Sequence, residues 1–491
     1  MNRTTLSLIA AVAALGAVTG FAMVTTPETT GTTATGTAAL RPVERTGLVC
    51  PAPSTSDLAE TAYTSFTPVT EGAESDGEAE LTAAGEKTGK AGEKDEAVLK
   101  PEKPGTPATG DTSGGEAPAL IGTAEGKFAP GWTVQQTTEV AAGTGRGLLG
   151  VNCTAPDTEF WFPGASADPG RTDYVHLTNP DDSAAVVDIE LYGADGELES
   201  AVGEGITVKP HASEAVLLST LTEAKESDLT VHVGVRSGRV GAAVQALHAK
   251  LGGDWLAAST DPAGSLVVPG IPEDAEDVRL VLFTPGDTDA DVKVQLASPS
   301  ALISPAGHET VRVKAGTTTA VDLADVTRGE AGSLVLTPTG RSVPIVAAVR
   351  VVRGKNSGQE TAFIPATRAI DTRATAVDNR AKGTTLSVTA PESDAKIKVT
   401  ASAGSEGGTE ATETFTIKKG TTQNVEAPVP DGLKGTYALT VEPVSGGPVY
   451  ASRTLTATED GVSAFTVQTL PDDRGTVSVP EAEEDLSLLQ E

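Results

Sequence analysis

The residues in this chain best suited to acid–base or metal chemistry are five histidines, His176, His211, His232, His248 and His308, set among 67 Asp and Glu. Metal ligation needs such groups at fixed spacing on one face, as in a His-Glu-x-x-His helix, and no two of these histidines are spaced that way. There is no Gly-x-Ser-x-Gly nucleophile turn and no phosphate loop either. The run Asp287-Thr288-Asp289-Ala290-Asp291 alternates like a calcium loop but lacks its turn glycine and distal glutamate, so it reads as a solvated turn. Asp371, Asp378 and Asn379 fall between two repeats, where interdomain calcium is sometimes held, yet their spacing defines no coordination sphere. The expectation is a protein that is not an enzyme and takes no cofactor and no metal.

Two other groups stand out. Cys50 and Cys153 are the only cysteines, and paired cysteines in a chain that opens with an export signal favour a disulfide. Closing a loop of that length stabilises by roughly 4 to 5 kcal/mol in the chain-entropy model. Zinc is excluded, since two thiols without nearby histidines cannot complete four-coordination. In a chain that is only 3% aromatic, Phe160, Trp161 and Phe162 stand side by side. Neighbouring strand residues face opposite ways, so one side of this run joins a core. The other is covered by the following loop or forms a partner-contact patch.

The elements that carry these residues repeat. Asn179-Pro180-Asp181, Thr284-Pro285-Gly286 and Ala390-Pro391-Glu392 place prolines 105 and 106 residues apart. Each is flanked by strands of alternating apolar and polar residues, the hairpin signature. A sandwich takes about 100 residues, so the period predicts an all-β chain of three tandem immunoglobulin-like β-sandwiches over 45–268, 269–370 and 371–470. Trp255, Phe363 and Phe465 recur on the closing strands and read as core plugs. Residues 71–118 are poor in large apolar groups and are expected to be a disordered acidic insertion in the first sandwich. An acidic flexible tail is expected over 471–491.

Residues 6–24 carry no charge and follow Arg3, the layout of an export signal or of a single-span anchor with the body outside. The expected organisation is thus a signal peptide or signal-anchor helix over 1–26 and a flexible spacer over 27–44. Membrane attachment, if any, runs through residues 6–24. A net charge of −31 repels phosphate backbones, and nucleic-acid binding is excluded because it needs Lys and Arg to displace counterions. The partners expected on this reading are envelope proteins or a cell-wall polymer; the sequence does not specify an oligomeric state.

Several of these motifs occur together in one family. Cys50-Pro51, Leu148-Leu149 before Cys153-Thr154-Ala155-Pro156, Phe160-Trp161-Phe162, and Thr178-Asn179-Pro180 leading to Tyr192-Gly193-Ala194-Asp195-Gly196 resemble an exported actinobacterial family of unknown function, the domain-of-unknown-function family 5719. The likeness runs on through Asp254-Trp255-Leu256 over about 45–470. It implies an envelope location and this architecture, and it brings no catalytic residue. The function expected is that of an exported, non-catalytic envelope scaffold or protein-interaction module, with a cell-wall or carbohydrate-binding module as the alternative.

Overall fold

The structure, a computed structural model, describes residues 39–85, 97–200, 202–459 and 462–479. The expected N-terminal helix over 6–24, residues 86–96 of the expected insertion and the tail beyond 479 lie outside these. Residues Arg41–Val477 form one compact unit; of a second, formed by the two chain ends, only strand-end residues are described. Regular structure among the described residues is β-strand, apart from three short 3-10 turns, and none of their helices is long and apolar enough to cross a membrane.

Burial alternates as the sequence pattern requires. Along Ala185–Gly193, Ala185, Val187, Ile189 and Leu191 are buried, while the residues between them are half-exposed. In that sandwich one antiparallel sheet runs Ser213–Leu217, Arg171–Thr178, Gly241–His248, Gly252–Leu256. The facing sheet runs Gly196–Leu198, Ala185–Gly193, Leu229–Ser237, Glu159–Ala165. The same order recurs around Ala275–Phe283, closing with Glu360–Pro365, and around Thr384–Ala390, closing with Val462–Leu470. The chain is thus all-β and built of sandwiches.

The stretch 45–268 differs from expectation, because it holds two sandwiches. Arg45–Cys50, Leu120–Glu125 and Ala79–Ala83 make one sheet, and Ala108–Ser113, Ala59–Phe66, Thr133–Val140 and Gly147–Asn152 make the other. This order matches the later copies. The sequence marks it too: Phe66-Thr67-Pro68 closes its second strand as Phe283-Thr284-Pro285 does in a later copy.

The expected disorder of 71–118 is corrected on the same ground for its described residues, 71–85 and 97–118. Ala79, Leu81 and Leu99 are buried in the core of this sandwich beside Tyr63, Trp132 and both cysteines. Leu81 and Leu99 are tied by a backbone hydrogen bond of 2.9 Å. A strand with one buried face needs an apolar residue only at alternate positions, so low average hydrophobicity did not prevent folding once a partner sheet was present.

The four sandwiches close into a ring. Their closing strands, Gly147–Asn152, Gly252–Leu256, Glu360–Pro365 and Val462–Leu470, pack one beside the next, and the last lies beside the first.

Candidate functional site

At each junction between sequential sandwiches the plug comes from the later one. Trp255 of the second sandwich packs on Ala59, Val140, Leu149 and Val151 of the first. Phe363 of the third joins the core of the second, under the Arg171 guanidinium 5.1 Å from its ring centroid. Phe465 of the fourth joins the core of the third, under Arg353 at 4.4 Å. The recurring aromatics are therefore buried as expected, but they fill a neighbour's core rather than their own. Glycine permits close approach: a Cβ on Gly241 would lie 1.8 Å from Val49 across the first junction, and one on Gly270 1.8 Å from Ser452 across the third.

Cys50 and Cys153 form a disulfide with Cα atoms 4.4 Å apart, inside the core of the first sandwich. The three neighbouring aromatics are all buried. Phe160 and Phe162 enter the core of the second sandwich. Trp161, 6% exposed, stacks on His232 at 3.9 Å and on Phe283 of the third sandwich at 5.4 Å. The expected partner-contact patch is thus occupied by the chain's own next sandwich. Around it, His232 Nδ1 lies 2.8 Å from Glu190, Tyr192 donates to the same carboxylate at 2.9 Å, and Trp161 Nε1 donates to Glu159 at 2.9 Å.

The seam between the fourth and first sandwiches has a different character. A small apolar patch of Phe66, Val377 and Ala438 is flanked by buried polar groups. Arg453, fully buried, donates to Gln135 Oε1 and, at 3.2 Å, to the Val377 carbonyl. Burial pulls its pKa down to about 10. Thr137 donates to Asp378 at 2.8 Å, and Asp378 holds a left-handed φ of 56°. Arg380 pairs with Glu139 at 3.1 Å.

Where the four closing strands meet lies Asp254, 0% exposed. Its Oδ1 accepts from the Gly150 N–H at 3.1 Å and from Thr466 Oγ1 at 3.0 Å. The Trp255 and Phe363 N–H groups act on the same carboxyl. Burial nonetheless raises its pKa well above the ordinary aspartate range. Nearby, Glu360 of the third sandwich accepts from Arg146 of the first at 2.6 Å, and burial lifts its pKa to about 7. Sequence reading gave Asp254, Glu360 and Arg453 no role of their own; for Asp254 and Glu360 the available signal was a charged residue on a largely apolar closing strand.

Among the described residues no group of His, Cys, Asp and Glu is placed to hold a metal ion. Open grooves are also present among the described residues. One, of about 490 Å³, is lined by Glu60, Asp111, Glu139, Arg380 and threonine and serine hydroxyls; another, of about 620 Å³, lies between the 298–308 and 322–330 loops of the third sandwich.

These features define a multi-sandwich protein with buried polar groups at the junctions between its domains. The chain belongs to the family described as a family of unknown function (DUF5719), whose model matches residues 108–428. No curated protein matches it.

Proposed function

We propose that this is an exported, non-catalytic cell-envelope protein that acts as a scaffold or protein-interaction module. The observation behind this reading is the closed ring: four sandwiches fixed to one another by buried junctions hold their outer loops at set positions. The disulfide supports an oxidising, extracytoplasmic setting. Protease added to intact cells should digest the chain, and cross-linking in those cells should capture envelope proteins. Complete protection together with a reduced Cys50–Cys153 pair would sink the export reading.

The groove of about 490 Å³ favours cell-wall or carbohydrate binding as the second reading, since its carboxylates and hydroxyls suit a polyol. Retention on purified cell wall, lost on Asp111→Ala, would establish it; no retention on any envelope polymer would remove it. Trp161→Ala does not discriminate, because that ring is buried at a junction.

A further inference from the structure

We propose that Asp254 is the latch that makes closure of the four-sandwich ring all-or-none. Its carboxyl group meets both its cross-domain donors only when the first and fourth sandwiches sit against the second.

The case begins with connectivity. Three junctions join sandwiches adjacent in the chain, so short linkers hold the partners together. The fourth joins residues more than 240 positions apart; the Thr137–Asp378 contact spans 241 and the Gly150–Thr466 contact 316. Chain entropy therefore opposes this seam most. It also buries unpaired polar groups. Arg453 Nε and Nη1 and Gln468 Oε1 have no hydrogen-bond partner there. Unpaired buried polar groups weaken an interface, so the apolar patch at Phe66 needs help to keep it shut.

Asp254 supplies that help from the second sandwich. Thr466 Oγ1 lies 3.0 and 3.2 Å from its two carboxyl oxygens. The same hydroxyl accepts from Gly150 N at 3.2 Å and from Gln468 Nε2 at 2.7 Å. The Gly150 N–H also reaches Asp254 directly. Remove the first or the fourth sandwich and the buried carboxyl loses a donor that water cannot replace without opening the hub. Hydrogen-bonded networks of this kind are worth most when complete. Gly150 fits the arrangement: a Cβ there would come within 2.4 Å of Gln468 Nε2 and 2.7 Å of Thr466 Cγ2.

The full-length chain tests the proposal by calorimetry and hydrogen exchange. The parent should unfold in one transition, with the four closing strands exchanging together. Asp254→Asn replaces an acceptor oxygen with a donor that faces donors. Gly150→Ala wedges the same seam without touching the carboxyl, and Thr466→Val is a milder loss should either of these fail to fold. In each variant that folds, Gly147–Asn152 and Val462–Leu470 should exchange at least about tenfold faster than Glu360–Pro365, and the transition should split. A parent that unfolds in separate steps, or variants that loosen all four strands equally, would overturn the latch.

Discussion

His176 sits where protonation is costly. Its ring lies between Tyr174 and Trp255, beside a void of about 10 Å³ at the first junction, and neither nitrogen is hydrogen-bonded at good geometry. Burial pulls its pKa down to about 4. An unfolded histidine titrates near 6.5, so between those values the unfolded chain binds a proton that the folded chain refuses. Stability contributed above pH 6.5 is therefore lost as the pH falls toward 4. His176→Gln should flatten that slope in urea midpoints measured at pH 7 and pH 4.5; parallel slopes would refute it. Glu360 works in the opposite sense. Its folded pKa of about 7 exceeds the ordinary 4.5, so its contribution is complete below pH 4.5 and disappears as the pH rises through 7. Between pH 5 and pH 8 the parent should lose more stability than Glu360→Gln, with Arg146 still held by the carbonyls of Lys250 and Gln359. Equal losses would mean that Arg146 already neutralises the carboxylate.

Closing strands are the elements that turn four sandwiches into one body, and their aromatics carry the packing. Truncating a buried Phe or Trp to Ala costs about 3–5 kcal/mol. For Phe363→Ala the loss should appear in the second sandwich, whose core the ring fills, so Val175, Leu177 and Val244 amides should lose exchange protection before those of Leu280 or Val294. Protection lost first in the third sandwich would show that the ring serves its own domain. This assignment was half legible. Recurrence at like positions on the closing strands announced that Trp255, Phe363 and Phe465 are buried, but recurrence within a repeat does not say which core lies beyond the strand. The proline turns gave the repeat, whereas the first copy was obscured because its third strand, Ala79–Ala83, is short and the large apolar residues across 71–118 are only Leu81, Val98 and Leu99. The aromatic run at 160–162 was similarly ambiguous, since a junction between sandwiches and an external contact surface demand the same side chains.

For the whole molecule, the first sandwich decides whether the ring is a ring. It touches the second through Trp255 and His176 and the fourth through Phe66, Gln135 and Gly150, so both ends of the chain of junctions depend on it. Its own fold is stapled at the base by Cys50–Cys153, which closes a sequence separation of 103. In the chain-entropy model a loop of that size contributes roughly 4.7 kcal/mol. The charge of −31 acts against compaction throughout, which leaves the long-range seam the junction most exposed to any loosening. Reducing the disulfide, or the Cys50→Ser, Cys153→Ser double variant, should therefore act beyond the first sandwich. Exchange should rise at Val462–Leu470 in the fourth sandwich, which contains no cysteine, while Leu280 and Val349 in the core of the third stay protected. Added salt should restore part of the loss by screening the acidic surface. A response confined to residues 45–154 would mean that the ring closes without support from the staple.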